Sequence, residues 1–253
     1  MSEPPAVAAQ HRRDTASPPA GALLSVRGLT AGYGGEPVIH DVSLTVETGE
    51  IVVILGSNGA GKTTTLQSII GLVKPSKASI TYDGARWPLG RPWRAAGAGI
   101  SYIPAERFTF AALSVEENLA LGGYAAPRSE LARRTHAVSE MFPILSKRAR
   151  QAAGTMSGGE QRMLSLAVAL MAAPKLLLLD EPSLGLAPAV VQQIMAALRE
   201  LVEQRSMSVL MVEQNVGQAL TIADRVYLMR SGRMILEEAA EQTRQRDQWW
   251  DLF

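Results

Sequence analysis

The spacing of hydrophobic positions changes several times along the chain, and each spacing predicts a different element. Residues 41–46 alternate polar and apolar side chains, as in a half-buried strand. Residues 51–55, IVVIL, form an unbroken apolar run that is typical of a parallel strand buried on both faces. Alternation over 79–87, with a turn at Asp83-Gly84, predicts another strand, and a further strand is predicted over 99–103.

The middle of the chain has helical spacing instead. Ser114 is followed three residues later by Glu117, and Ser157 by Glu160, so each serine is predicted to begin a helix with a capping box. A third helix is predicted over 129–142, ending before Pro143. Beyond it the predicted elements are a strand at 176–180, a helix at 189–204, a strand at 208–212, a helix at 217–224 and a hairpin at 225–238. This alternation predicts an α/β fold with a mostly parallel sheet covered on both faces.

Both ends of the chain differ from this pattern. Residues 1–22 are rich in Pro, Ala and Ser and lack the apolar segment of a secretory signal, so they are predicted to be a disordered tail. The remaining predicted units are a core over 23–104 and 158–240, a helical subdomain over 105–157 and a C-terminal tail over 241–253. That tail carries Trp249, Trp250 and Phe253, which either dock on another protein or pack on the chain's own sheet.

Composition narrows the classes of partner. The 25 Lys and Arg residues almost balance 24 Asp and Glu residues, so the chain lacks the basic excess of a nucleic-acid-binding protein. Cysteine is absent, which excludes disulfides and thiolate metal sites and fits a reducing compartment. No apolar run reaches the roughly 18 residues that a membrane helix needs. A role at a membrane would therefore come through a partner protein.

The stretch GSNGAGKTT, residues 56–64, lies between a predicted buried strand and a predicted helix. It satisfies the spacing GxxxxGK[ST], in which glycines let backbone N–H groups surround a phosphate at a helix N-terminus. Lys62 would reach the terminal phosphates, and the Thr63 hydroxyl would bind Mg²⁺. The predicted nucleotide-binding residues are Gly56, Ser57, Asn58, Gly59, Ala60, Gly61, Lys62, Thr63 and Thr64. A chance Gly-rich turn is disfavoured by this strand-to-helix context.

Two carboxylates follow the apolar strand at 176–179. Ligands of parallel sheets bind beyond the carboxyl ends of the strands, which is where Asp180 and Glu181 stand. Asp180 is suited to the Mg²⁺ shell, and Glu181 to orienting an attacking water molecule. The alternative is that the two residues cap the next turn.

A second glycine pair occurs in MSGGEQR. Ser157 and Glu160 make a good helix start, but Gly158 and Gly159 leave its first amides uncovered, which would suit a second anion. One chain needs only one phosphate site. A second one makes sense if two copies meet face to face.

These three motifs, in this order and spacing, resemble the phosphate loop, the signature and the second acidic motif of ABC transporter ATPase domains. The resemblance covers residues 24–236 and implies a P-loop NTPase with a core sheet, an antiparallel β subdomain and a helical subdomain. It implies ATP and Mg²⁺ as cofactors, and that Tyr33 stacks on adenine, although a packing role for Tyr33 is the alternative. It also implies that the signature residues bind the γ-phosphate held by the opposite subunit, so that a head-to-tail pair encloses two ATP molecules.

Longer stretches, including SVEENL, LLLLDEPSLGLAP and VEQN, resemble the second ATPase subunit of branched-chain amino acid importers. That group includes urea and short-chain amide importers. Gln214 stands where most ABC ATPases carry a His that senses the γ-phosphate. It can donate a hydrogen bond but cannot carry a proton, so we expect weak intrinsic ATPase activity. In the family, a Gln or Glu that binds the metal and contacts the transporter directly follows a Pro. Here Pro104 is followed by Ala105. Either Glu106, one position later, takes over this role, or the role is lost. Ala187 replaces the usual Asp.

The resemblance predicts an ATP hydrolase at the cytoplasmic face of the plasma membrane, importing branched-chain amino acids or a related small polar solute. Its implied partners are a second ATPase subunit, identical or a sister, two membrane permeases and, indirectly, a periplasmic solute-binding protein. A urea or amide importer is an alternative, as is a weakly active regulatory subunit.

Other nucleotide-binding classes fit less well. A soluble P-loop kinase would have a lid and an acceptor pocket where this chain has a helical segment with MSGGEQ. ABC proteins of DNA repair need a coiled-coil insertion, and those of translation need two cassettes. The sequence has neither feature.

Overall fold

The computed structural model of the chain describes residues 21–106, 108–205 and 207–246. The strands are β1 Ala22–Tyr33, β2 Glu36–Glu47, β3 Ile51–Leu55, β4 Lys77–Tyr82, β5 Ala85–Arg86, β6 Ile100–Ile103, β7 Leu176–Asp180, β8 Ser208–Glu213, β9 Arg225–Arg230 and β10 Arg233–Ala239. The helices are α1 Lys62–Ile70, α2 Arg94–Gly97, α3 Val115–Gly122, α4 Arg128–Met141, α5 Pro143–Lys147, α6 Gly158–Met171, α7 Pro188–Arg205, α8 Val216–Leu220 and α9 Ala240–Arg244.

A six-stranded sheet forms the centre of the fold, in the order β10-β9-β3-β8-β7-β6. All neighbouring strands run parallel except β10, which pairs antiparallel with β9. The position of β3 between two hydrophobic clusters explains why all of its residues are apolar. Ile51, Val53 and Leu55 face one hydrophobic cluster, and Val52 and Ile54 face another. The prediction of a mostly parallel sheet covered on both faces is therefore confirmed.

Helices cover the first face of this sheet. Helix α6 is buried on most sides, as its apolar sequence predicts, and the helical insertion α3 to α5 packs against it. Phe142, at the junction of α4 and α5, is fully buried in this layer. The capping boxes at Ser114 and Ser157 both form, so these two helix starts are confirmed.

The second face is covered by α1 and by a separate antiparallel sheet in the order β2-β1-β4-β5. Hydrogen bonds to Thr45 on β2 connect the two sheets, and an ion pair to Glu50, in the turn between β2 and β3, lies beside them. The guanidinium of Arg225 on β9 lies 2.8 Å from Glu50 and donates to the Thr45 carbonyl at 2.9 Å. The Tyr227 hydroxyl accepts from the Thr45 N–H at 3.1 Å. The hairpin of β9 and β10 therefore fixes the antiparallel sheet against the central sheet.

The observed elements differ from the predicted ones near the chain ends. Helix α8 ends at Leu220, not at 224, because the Asp224 N–H donates to the Ile51 carbonyl at 2.9 Å instead of to the Leu220 carbonyl. Arg244 donates to the carbonyls of Leu220 and Ala223, at 2.6 and 3.0 Å. That arginine lies on α9, which occupies part of the segment predicted as a C-terminal tail. Strand β1 begins at Ala22, the last position of the predicted N-terminal tail.

Some predictions fall outside the described residues. They include the disorder of residues 1–20 and the role of Trp249, Trp250 and Phe253. Among the helices that the structure describes, none is long and apolar enough to cross a membrane.

Candidate active site

The predicted phosphate loop connects the end of β3 to the start of α1. Gly59 and Gly61 have φ angles of 78° and 105°, in the left-handed region that favours glycine. A Cβ at Gly56 would lie 2.5 Å from the Met229 carbonyl oxygen, and one at Gly61 would lie 2.5 Å from a methyl carbon of Ile39. The loop therefore needs glycine at its first and last positions, because neighbouring chain segments occupy the space of a side chain.

Lys62 begins α1 and is 4% exposed. Its Nζ donates to the carbonyls of Gly56 at 2.8 Å and Ser57 at 3.1 Å, and lies 3.3 Å from Glu181 Oε1. The ammonium group is thus held against the inside of the loop. A positive charge at this position would favour an anion there.

Asp180 ends β7 and is almost completely buried. Its Oδ1 accepts a hydrogen bond from the Thr63 hydroxyl at 3.0 Å, and its Oδ2 accepts one from the Tyr102 hydroxyl at 3.3 Å. Burial raises the pKa of Asp180, and the hydrogen bond from Thr63 partly offsets that rise. The carboxylate and the Thr63 hydroxyl form one oxygen-rich cluster beside the loop.

Glu181 takes a left-handed backbone conformation, with φ of 42°, which is uncommon for a residue other than glycine. Its N–H donates to the Val212 carbonyl at 3.0 Å. Its Oε1 accepts from Gln214 Nε2 at 2.6 Å, and the same oxygen faces Lys62. Lys62, Glu181 and Gln214, which the sequence predicts to act on the terminal phosphates and the attacking water, thus meet at one carboxylate oxygen.

The segment Ser157–Glu160 lies on the surface at the start of α6. Ser157 and Gly158 are exposed, so the start of the helix faces solvent. Glu160 turns back to accept from the Ser157 N–H at 2.9 Å, and its other oxygen lies 3.0 Å from Arg148. Among the described residues, no hydrogen bond or ion pair joins this segment to residues 56–64. The two predicted phosphate sites are therefore not joined within one chain.

Tyr33 and Glu106 are less closely connected to the cluster. The Tyr33 side chain is 56% exposed, which disfavours a packing role, and its hydroxyl donates to Gln67 Oε1 on α1 at 2.9 Å. Glu106 is exposed. Within the described part of the chain, no hydrogen bond or ion pair links it to Thr63 or Asp180, so the structure does not bring Glu106 into the oxygen cluster.

Three residues at this site were not predicted from the sequence, namely Arg162, Tyr102 and Glu213. Arg162 on α6 donates to the carbonyls of Pro104 at 2.6 Å and Asp180 at 2.7 Å, and burial lowers its pKa. The Tyr102 hydroxyl donates to Asp180 Oδ2, and the Glu213 carboxylate accepts from the Gln214 N–H. Arg162 follows the signature directly, but an arginine on a helix is usually exposed, so nothing local indicates its buried position.

Comparison with known proteins finds a matching family and several similar proteins. The family model described as ABC transporter matches residues 39–184. The chain is 44% identical over 217 residues to the high-affinity branched-chain amino acid transport ATP-binding protein BraG of Pseudomonas aeruginosa, a match that covers 85% of this chain and 92% of that protein. It is 37% identical over 220 residues to the lipopolysaccharide export system ATP-binding protein LptB of Escherichia coli K12, covering 85% and 89%.

A solved structure is similar over the same span. The ATP-binding subunit of an ABC transporter superposes with a TM-score of 0.77 at 28% identity, and covers 88% of this chain and 92% of its own. Both chains therefore share one architecture from end to end of the aligned region.

Proposed function

This chain belongs to the ABC transporter family and is one of its ATP-hydrolysing subunits, and we propose that it energises the import of branched-chain amino acids. The observation that carries the choice of solute is the 44% identity to the branched-chain amino acid transport protein over most of both chains. The sequence identity to the lipopolysaccharide export protein is lower, at 37%, so export is the less favoured function.

The chain binds ATP, and we propose the loop 56–64 as the place where its phosphates lie. Support comes from the two obligatory glycines and from the Lys62 ammonium inside the loop. Phosphoryl transfer requires little covalent chemistry from the protein, because positioning and charge neutralisation supply most of the rate. The loop amides and Lys62 would stabilise negative charge on the phosphates, and Glu181 would orient the attacking water.

Thr63 and Asp180 fit a bound Mg²⁺. Hydroxyl and carboxylate oxygens are the ligand types that this ion prefers, and the two side chains already lie 3.0 Å apart. Among the described residues, no group of three or more His, Cys, Asp or Glu side chains is placed to hold a metal ion. That fits Mg²⁺, which usually takes one or two protein ligands and completes its shell with phosphates and water. The ion would supply positive charge to the phosphates.

We propose that the chain works as one of a pair of ATPase subunits attached to membrane permeases, because it belongs to the ABC transporter family. We propose that the segment Ser157–Glu160 of the signature MSGGEQ binds the γ-phosphate held by residues 56–64 of the other subunit. Support comes from the exposure of Ser157 and Gly158 at the start of α6. In the part of the chain that the structure describes, no hydrogen bond or ion pair joins this start to residues 56–64. The other subunit would be a sister chain or an identical copy, with two permeases and, through them, a periplasmic solute-binding protein.

The permease contact is proposed for the loop that follows β6. Phe108 and Phe110 expose 51% and 58% of their surface there. The buried side chain of Asn118 fixes the loop, accepting from the Phe110 N–H at 2.8 Å and donating to its carbonyl at 3.1 Å. Exposed aromatic side chains on an anchored loop are suited to protein contact. Such a contact would place the chain at the cytoplasmic face of the membrane.

Uptake by proteoliposomes that contain the complete transporter tests the proposal. Vesicles loaded with ATP are given leucine, urea or acetamide, and the Glu181→Gln variant is compared with Glu200→Gln, which changes an exposed glutamate on α7. We expect leucine uptake that Glu181→Gln abolishes and Glu200→Gln preserves. Uptake of only urea or acetamide would refute the solute, and the absence of any uptake would refute import. Equal ATP turnover of the chain alone and in the complex would argue against a regulatory subunit.

A further inference from the structure

Glu213 is a buried carboxylate that the proposed mechanism leaves without a role. It ends β8 and is only 1% exposed. Its Oε1 accepts from the Ser183 N–H at 2.9 Å, and its Oε2 accepts from the N–H groups of Gln214 at 3.1 Å and Asn215 at 3.4 Å. Both carboxylate oxygens thus bind main-chain donors.

These donors belong to two separate loops. Ser183 lies two residues after Glu181, in the segment that follows β7, whereas Gln214 and Asn215 follow β8. The side chains of Glu181 and Gln214 meet at 2.6 Å across the gap between the loops. Glu213 therefore links the main chains of the two segments whose side chains form that contact.

The conformation of Glu181 makes this link important. A residue other than glycine with a φ of 42° is held there only when its surroundings impose that conformation. One constraint is the bond from the Glu181 N–H to the Val212 carbonyl, just before Glu213. The second is the bond from Ser183 to the Glu213 carboxylate, so Glu181 is bracketed by two bonds to the end of β8.

We propose that Glu213 is a positioning residue for ATP hydrolysis, whose carboxylate fixes the distance between Glu181 and Gln214. The inference rests on the proposed function, because it assumes that Glu181 orients the attacking water. Both oxygens of the Glu213 carboxylate are occupied by main-chain N–H donors, so the proposed role gives Glu213 no direct contact with the nucleotide or the attacking water. It acts through the main chain, so it should affect the rate of hydrolysis and leave the affinity for ATP unchanged.

The variant Glu213→Gln tests this role with minimal change in shape. A glutamine offers one acceptor oxygen, and its NH₂ group would face main-chain N–H donors that it cannot bind. We expect kcat to fall about tenfold or more while the Kd for ATP stays within about twofold, as for a group that acts only on the hydrolysis step. Amide hydrogen exchange at Ser183, Gln214 and Asn215 should accelerate, and exchange in α4 should not.

Two further variants separate positioning from general stabilisation. Glu238→Gln removes another hydrogen-bonded carboxylate, with a side chain 7% exposed, on the edge strand β10, where it binds Arg246 and Thr243, and it should leave kcat unchanged. Gln214→Ala removes the side chain that Glu213 positions. If both act through one contact, Glu213→Gln should lower kcat much less in the Gln214→Ala background than in the wild type.

The outcomes distinguish this inference from the proposed function. The complete transporter is used throughout, with kcat and ATP Kd measured for each variant. If the wild type does not hydrolyse ATP, the proposed function itself is wrong. If the wild type is active and Glu213→Gln matches its kcat, or loses ATP affinity in proportion to kcat, or adds fully to Gln214→Ala, only the positioning role is refuted.

Discussion

The Arg162 guanidinium joins three parts of the candidate site, and its removal has a predictable cost. The side chain starts on α6, directly after the signature, and donates to the carbonyls of Pro104 and Asp180. Replacing it with methionine keeps the apolar stem and leaves both carbonyls without their donor. A buried polar group that loses its partner costs about 1–3 kcal/mol.

The hydrogen bonds to the two carbonyls differ in burial, and this difference determines the expected loss in the free energy of unfolding. The bond to Asp180 is buried, whereas the bond to Pro104 is only partly buried, so water can replace the latter donor. Burial lowers the pKa of Arg162, because it disfavours the charged guanidinium. Methionine carries no charge, so its introduction recovers part of the lost free energy of unfolding. We therefore expect Arg162→Met to lower the free energy of unfolding by about 2–4 kcal/mol. Hydrolysis should also slow, because Asp180 and the loop after Pro104 lose a common anchor.

Urea unfolding and ATP turnover, measured on the same preparations, check this prediction. Arg162→Lys should be intermediate in stability, because one ammonium nitrogen replaces two separate guanidinium nitrogens. The control is Arg133→Met on α4, an arginine with 71% of its side chain exposed, which should stay within about 0.5 kcal/mol of wild type. If Arg162→Met were as stable as Arg133→Met and hydrolysed ATP normally, the guanidinium would not be the anchor described here.

Three further changes have specific outcomes. Glu181→Gln should retain ATP in equilibrium dialysis and release no phosphate in a turnover assay, whereas normal phosphate release would exclude its role in orienting water. Gly61→Ala should abolish ATP binding in the same dialysis, because its Cβ would lie 2.5 Å from Ile39 and its φ is 105°; retained binding would show that the loop tolerates a side chain. Phe142→Ala should lower the free energy of unfolding by about 3–5 kcal/mol in urea, since this fully buried ring would leave a cavity; a loss below about 1 kcal/mol would contradict its place in the core.

Local patterns were sufficient for much of the fold. The alternation at 41–46, the apolar run at 51–55 and the two capping boxes depend on neighbouring residues, and all of them form in the structure. The loop glycines could also be placed from sequence, because their spacing relative to Lys62 is itself the signal.

Contacts between distant segments could not be predicted in this way. Helix α8 ends early because the Asp224 N–H donates to the Ile51 carbonyl, and Arg244, 24 residues beyond Leu220, supplies the donor for the Leu220 carbonyl. The link from Glu213 to Ser183 spans 30 residues, and the bond from Arg162 to Pro104 spans 58. Single-sequence periodicity carries no information about such pairs, so a buried arginine and a buried glutamate read as ordinary surface residues.

Equilibrium titration of Mg-ATP into the purified chain shows whether residues 56–64 hold the nucleotide's phosphates. Calorimetry of the Glu181→Gln protein should show saturable binding that Lys62→Met abolishes, whereas Lys77→Met, on an exposed lysine of β4, should leave binding intact. Absence of saturable binding, or binding that survives Lys62→Met unchanged, would contradict the account.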